Sequence, residues 1–477
     1  MAIVMLFGAC LVHAQNVSSL NKAVSEIEAE EDMGHATLSV CVYNMDKQSV
    51  VYSHEAHRSV VPASLTKLFT TAAGFDRLGG DFRFRTYLKY AGEVDKSGTL
   101  HGDLYIIGGG DPLLGSYRYK QTVPDSLFGV WQRAISAAGI KAVDGRVYYD
   151  ASVFDKKQLH DSWQWGDVGN YYAGGVCGLN FHENTVFLHF RPGARVGYPA
   201  TVARTEPKGA SVHVINEVLT GAARTGDKVV VYGDPSSTIR TCRGTVPVDS
   251  KSMSIRSSMP KPAAVCADMF TAYLRSHKIS VSGAATEVIH RPANMVDLME
   301  YTSPTYYVIA QYTNMTSNNT YAEAIHKYLG YQQHGRGSHE MGAKVVSDYL
   351  KSMKLDMGGV RLEDGSGLST RNRVTSDFVC RFLSAVSHKK YFGEYKKTLG
   401  QAGENGTVRN MLAGLPSGAH VYMKSGSMDG VRAFAGYAET AKGGRYCFAV
   451  VCNDYECSGS LMRSRLEKII MRIATLE

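Results

Sequence analysis

Between Pro62 and the pair Gly79-Gly80 the chain reads Ala-Ser-Leu-Thr-Lys-Leu-Phe-Thr-Thr-Ala-Ala-Gly from residue 63, a helical pattern with few groups that want water. Proline suits a helix start and glycine a stop, so the spacing predicts an apolar helix with Ser64 in its first turn. Lys67 follows one turn later, and residues three apart share a helix face, so hydroxyl and amine meet. A serine becomes a good nucleophile when a base takes its proton, and lysine is a base only as the neutral amine. Bringing lysine from its ordinary value of about 10.4 to about 7 requires burial or a nearby cation. An apolar helix supplies the burial.

The Ser-x-x-Lys spacing recurs at Ser19/Lys22, Ser258/Lys261 and Ser387/Lys390. Context separates the four. Ser19 lies in a polar helical segment, Ser258 runs into Pro260, and Ser387 precedes the charged pair Lys389-Lys390. Only Ser64 opens an apolar helix.

At 477 residues the chain exceeds one typical domain. With 44% hydrophobic and 20% charged residues it is composed as a globular protein rather than a disordered one. The net charge of +8 is scattered, with no basic block or stripe, which argues against a nucleic-acid partner and for a mild attraction to anionic surfaces or substrates. Residues 1–14 carry no Lys, Arg, Asp or Glu, and Val12-His13-Ala14 resembles a cleavage site, so they are expected to be a signal peptide that directs export. Lipidation at Cys10, within Leu6-Phe7-Gly8-Ala9-Cys10, and a buried N-terminal strand are the alternatives. No later segment reaches the roughly 18 to 20 apolar residues of a membrane span, so no transmembrane anchor is expected. The cysteines show no metal-ligand spacing, and Cys447, Cys452 and Cys457 fall in or beside an apolar strand where buried thiols are common.

Alternating runs at 36–44 and 49–53 predict a hairpin leading into the Ser64 helix. From there to about residue 257 the chain is rich in β-type residues, Gly and Pro, with one helix expected at 126–138. Helical texture returns at 263–276, 306–315, 321–329 and 343–353. Strands are expected at 420–424, 431–438 and 446–453, before a final amphipathic helix over 461–476 that packs on them. The class is therefore α+β, an antiparallel sheet flanked by helices and interrupted early by a β-rich insertion. We expect a discontinuous catalytic part over 15–85 and 258–477, and an insertion over 86–257 of two small domains, the nested one at about 195–257.

Two further stretches complete a constellation. Ser317-Asn318-Asn319 falls between two helical segments, and Lys424-Ser425-Gly426-Ser427 follows an apolar strand. With Ser64 and Lys67 they form the Ser-x-x-Lys, Ser-x-Asn and Lys-[Ser/Thr]-Gly trio of penicillin-binding proteins and β-lactamases. Lys96-Ser97-Gly98 matches the third motif as well, but it precedes Ser317 and reads as a hairpin turn. The 250 residues from Lys67 to Ser317 (317 − 67) are too many for a β-lactamase or a simple carboxypeptidase of this fold. The chain resembles the class C low-molecular-mass penicillin-binding proteins, the D-alanyl-D-alanine carboxypeptidase/endopeptidase family of the penicillin-binding protein 4 type. Gly108-Gly109-Gly110-Asp111-Pro112, Asp364-Gly365-Ser366-Gly367-Leu368-Ser369 and Gly406-Thr407-Val408-Arg409 resemble further family segments, in the family's order. Two departures stand out: Ser425 where Thr is commoner, which keeps the hydroxyl, and Thr370 ahead of Arg371 where an Arg often follows directly.

The resemblance implies the penicillin-binding-protein/β-lactamase-like transpeptidase fold and a serine-type D-Ala-D-Ala carboxypeptidase or D,D-endopeptidase acting on peptidoglycan stem peptides in the periplasm. It implies that Ser64 attacks, Lys67 takes the proton, Lys424 supplies a cation that helps hold Lys67 neutral, Ser317 relays a proton to the leaving amine, and Asn319 bonds Lys67 and the acyl amide. Ser425 belongs to the substrate-binding strand, Gly426 lets that backbone approach the ligand, and the N–H groups of Ser64 and Ser427 form the oxyanion hole. β-Lactam antibiotics are then expected partners, and no metal or cofactor is required. Asp167 is a candidate reader of a diamino acid amine in the stem peptide, against the plainer reading of a loop carboxylate beside buried tryptophans. The competing functions are a β-lactamase and a catalytically silent peptidoglycan-binding scaffold.

Overall fold

The computed structural model describes residues 17–476, so the expected signal peptide and Cys10 lie outside the described residues. The chain divides into two compact units: one formed by the segments up to Phe82, Tyr306–His326 and from Gly342 onward, the other by Arg83–Thr305 and Lys327–Met341.

The first unit is built on a six-stranded, wholly antiparallel sheet with the order Gly400–Gln401, His420–Met428, Val431–Glu439, Arg445–Asn453, Thr37–Asn44, Ser49–His54. Its central strands are buried along nearly their whole length, because both faces are covered. On one face the helix Gly459–Ala474 inserts Met462, Leu466, Ile469, Ile470 and Ile473 beside Val450, Phe448 and Phe434. The amphipathic C-terminal helix thus packs on the strands, as its sequence predicted. The apolar helix Thr66–Leu78, entered through a tight turn over Ala63–Leu65, packs Phe69 against Phe378 and Phe382 of the helix Ser376–Ser387. It stops where Gly79 takes a positive φ of 84°, open to glycine without a Cβ penalty.

The second unit carries a seven-stranded mixed sheet and two three-stranded sheets around one core that includes Leu104, Ile106, Trp131 and Phe270. The Pro262–Ser276 helix and the strand Val296–Thr302 belong here, whereas the sequence reading assigned residues 258–305 to the catalytic part. The reason is pairing: Val296–Thr302 joins Arg85–Val94 antiparallel, and Ser280–Val281 joins Ala142–Val143 in parallel. Amphipathic texture says that a segment is covered, not by which sheet. Lys96-Ser97-Gly98 lies in the turn between Arg85–Val94 and Thr99–Ile107, with Lys96 and Ser97 exposed and the Asp95 carboxylate accepting from the Ser97 and Thr99 N–H groups. No helix among the described residues is long and apolar enough to cross a membrane. Cys447 and Cys452 are buried on the strand Arg445–Asn453, and Cys457 is partly exposed; all eight described cysteines are free thiols.

Candidate active site

The nucleophile turn is set by backbone that few side chains tolerate. Ala63 has φ = 46°, and the Leu65 N–H closes the turn on the Pro62 carbonyl at 3.2 Å, which leaves Ser64 partly exposed at the head of a buried helix. Left-handed non-glycine residues of this kind cost of order 1 kcal/mol or more and concentrate at functional sites. The loop containing Gly367 (φ = 84°) runs so close that a Cβ there would sit 1.9 Å from the Ala63 carbonyl oxygen.

The Lys67 side chain is wholly buried. Its Nζ lies 2.9 Å from Ser64 Oγ, 2.6 Å from Asn319 Oδ1 and 2.6 Å from the Ser366 carbonyl oxygen. A neutral amine has two N–H bonds and one lone pair, whereas an amide or carbonyl oxygen can only accept. The two N–H bonds therefore go to Asn319 and Ser366, and the lone pair is left facing the Ser64 hydroxyl, the one partner able to donate. Burial lowers the Lys67 pKa to about 7, working against the carboxylates of Asp364 and Glu323, which raise it. At neutral pH a large fraction of the amine can accept a proton.

Ser317 sits between the helices Tyr306–Thr316 and Asn319–His334, also at positive φ (56°), and Asn319 is the first residue of the second helix. The first of these helices is tied to the nucleophile helix by the Tyr306 hydroxyl donating to the Thr71 carbonyl at 2.8 Å and Asn314 Nδ2 donating to Thr71 Oγ1 at 3.0 Å. Lys424 Nζ donates to Ser317 Oγ at 2.9 Å and to the Ser425 carbonyl at 2.6 Å. Lys424 is also fully buried, and its pKa is pushed well below the ordinary lysine range by burial first and by the neighbouring Lys67 second. Sequence reasoning assigned Lys424 the task of keeping Lys67 neutral. Here burial is the first cause of the low pKa of both lysines.

The Lys424 motif lies inside the strand His420–Met428 rather than past its end. The outer neighbour Gly400–Gln401 pairs with Met423 and Tyr422, so from Lys424 to Met428 that edge has no strand partner among the described residues and can accept an extended peptide. Ser425 Oγ is 2.7 Å from Thr407 Oγ1. Gly426 is needed for packing: a Cβ would meet the Pro62 carbonyl oxygen at 2.7 Å, so its absence brings the strand against the nucleophile turn. Ser427, the next residue, is exposed.

The geometry thus gathers Ser64, Lys67, Ser317, Asn319, Lys424, Ser425, Gly426 and Ser427 from three segments of the first unit. Asp167 belongs to the second unit, on the short helix Trp165–Val168, where its Oδ1 accepts from the Tyr172 hydroxyl at 2.9 Å and burial raises its pKa. Of its flanking tryptophans Trp163 is buried and Trp165 exposed. Sequence reasoning missed the Ser366 carbonyl, the Glu323 and Asp364 carboxylates and the Thr407 hydroxyl as parts of the site. The one available signal was the i, i+4 spacing of Asn319 and Glu323, which puts both on one helix face.

Residues 20–474 match the profile of the D-Ala-D-Ala carboxypeptidase 3 (S13) family. A D-alanyl-D-alanine carboxypeptidase of Actinomadura sp. (strain R39) is 27% identical over 472 residues, covering 96% of this chain and 85% of the relative. The crystal structure of penicillin binding protein 4 (dacB) from Haemophilus influenzae is similar with a TM-score of 0.80 at 20% identity, over 96% of this chain and 98% of that one. The same protein complexed with a β-lactam matches at 0.75, again at 20% identity over 96% and 98%.

Proposed function

Because the chain belongs to the D-Ala-D-Ala carboxypeptidase 3 (S13) family and with it is a serine peptidase, we propose that it hydrolyses the D-Ala-D-X bond of peptidoglycan stem peptides through an acyl-enzyme on Ser64. The observation that carries this reading is the buried Lys67 amine held 2.9 Å from Ser64 Oγ by two obligate acceptors. Ser64 Oγ attacks the carbonyl carbon while its proton passes to Lys67 Nζ. The oxyanion is stabilised by the N–H groups of Ser64 and Ser427. Collapse breaks the C–N bond, and the leaving amine receives, through Ser317, which Lys424 orients, the proton that Lys67 took from Ser64, so that Lys67 returns to the neutral amine. Water then attacks the ester, releasing the shortened peptide and restoring the Ser64 hydroxyl.

The incoming peptide lies as an added strand along Lys424–Met428, where the Ser425 carbonyl is already engaged by Lys424 and the Ser425 hydroxyl faces outward to Thr407. β-Lactams acylate Ser64 through the same nucleophile and oxyanion donors. The substrate puts the working protein outside the cytoplasm, in the periplasm of a cell with two membranes. Asp167 reads a free amine on the stem peptide; cleavage of amidated and free-amine peptides by Asp167→Ala in the wild-type ratio would refute that role.

Incubation with a fluorescent penicillin, followed by intact mass over hours, tests the whole reading. A stable adduct on Ser64, absent in Ser64→Ala, is the expected result. Rapid drug turnover would mark a β-lactamase, and no adduct in the wild-type protein a silent scaffold.

A further inference from the structure

The catalytic amine is aimed by two acceptors, and one of them is a main-chain carbonyl in a glycine-rich loop, a poor place to fix an atom unless the loop is held. The loop is gripped at every polar group that matters. The Gly365 and Ser366 N–H groups donate to the two carboxylate oxygens of Glu323 at 3.3 and 2.7 Å. The Gly365 carbonyl accepts from Thr70 Oγ1 at 2.7 Å, and the Gly367 N–H donates to Asp364 Oδ1 at 2.9 Å. Asp364 is itself braced by the Ser369 N–H and by Asn372 Nδ2, at 2.7 and 2.8 Å.

Two successive peptide planes in the loop are thus pinned at both ends. The plane joining Gly365 and Ser366 lies between Thr70 and Glu323. The plane joining Ser366 and Gly367 lies between Lys67 Nζ on its carbonyl and Asp364 on its N–H. A carboxylate accepting from one end of a peptide polarises it and strengthens the carbonyl at the other end as an acceptor. Glu323 and Asp364 are both buried, and neither touches Ser64 in any bond described above. Two carboxylates buried beside a lysine whose neutral form is needed would be a liability if charge were all they contributed, since they favour the ammonium.

We propose that Glu323 and Asp364 are positioning residues for catalysis: through the Gly365–Gly367 backbone they hold the Ser366 carbonyl where it fixes the rotation of the Lys67 amine, so that the lone pair stays on the Ser64 hydroxyl. This rests on the acyl-enzyme reading above and assigns it the residues that set the base's aim. Thr70, one turn beyond Lys67 on the same helix face, is the third anchor of that loop.

The test is the second-order rate of Ser64 acylation by a fluorescent penicillin, measured from pH 5.5 to 9 on the full chain, with a peptide substrate for KM and kcat. Glu323→Gln keeps the size of the side chain but replaces one acceptor by a donor and removes the charge. Its acylation rate is expected to fall roughly 10- to 100-fold, as for loss of a hydrogen bond to a charged group, with kcat for the peptide falling and KM little changed. The acid limb of its pH profile is expected to move to lower pH, because one of the groups that raises the Lys67 pKa is gone; the fall in the plateau rate above that limb, where Lys67 is already neutral, is what reads the lost positioning. Thr70→Val removes an anchor without changing charge, so its rate should fall with the limb unmoved. Should Glu323→Gln fail to fold, Thr70→Val decides the matter alone: a wild-type rate there overturns the proposal. Wild-type rate and limb in a folded Glu323→Gln overturn it equally. Absence of any adduct in the wild-type protein would instead strike the acyl-enzyme reading itself.

Discussion

Gly426→Ala isolates the contact that brings the substrate strand to the nucleophile. Gly426 does not have a positive φ, so a methyl group there introduces no backbone strain and acts by volume alone. That methyl would sit 2.7 Å from the Pro62 carbonyl oxygen, 3.2 Å from Ala433 Cβ and 3.4 Å from Ala63 Cβ. Neither side yields easily: Pro62 is locked by the Leu65 N–H, and Gly426 is paired with Ala433 in the sheet. Strand and turn must separate by about half an ångström, at the 1 to 3 kcal/mol typical of overpacking. For a unit of this size that is a fall of about 2 to 12 °C in melting temperature. The same displacement separates the Ser427 N–H from Ser64. Since a misplacement of about 1 Å can cost a hundredfold, the acylation rate should drop about tenfold or more. Stopped-flow acylation with a fluorescent penicillin, paired with a thermal melt, reads both quantities. An alanine variant that acylates at the wild-type rate with an unchanged melt would show that the strand and the turn are not held together as described.

Other outcomes follow from the same structure. Acylation of the wild-type protein should rise with pH through about 7 and level off above it, because the reactive form of Lys67 is the neutral amine and burial brings its pKa to about 7; a rate flat from pH 5.5 to 9 would contradict that base. Gly367→Ala, whose Cβ would fall 1.9 Å from the Ala63 carbonyl at a φ of 84°, should fail to accumulate as folded protein, seen as loss of soluble expression and of the thermal transition. Asp111 is buried in the second unit, and burial raises its carboxyl to about 7, so its contribution to stability is full below about pH 4 and is lost as pH rises towards 7. Asp111→Asn should therefore gain on the wild type in urea midpoint between pH 4.5 and 7.5. Tryptophan fluorescence follows that unit alone, because all three tryptophans, 131, 163 and 165, lie in it.

The sequence by itself determined the pieces whose physics is local. Pro62 and Gly79 bounded the nucleophile helix, and three-residue spacing put Ser64 and Lys67 on one face; the structure measures that as 2.9 Å. Continuous apolar runs marked the strands Val431–Glu439 and Arg445–Asn453 because helices cover both of their faces. The order of three motifs with a long gap pointed to the fold and the family, and both held. What only tertiary structure decided depends on groups far apart in the chain. Residues 258–305 join the second unit because Val296–Thr302 finds its partner some 200 residues back, at Arg85–Val94, and no local pattern encodes a partner. The helix Ser376–Ser387 went unread, although its Phe378 and Phe382 are what the nucleophile helix packs on. The Lys67 amine takes its low pKa from complete burial, and its aim from a carbonyl that belongs to Ser366, 299 residues away. A backbone carbonyl has no signature in sequence, since every residue carries one. Only folding chooses which of them meets a lysine.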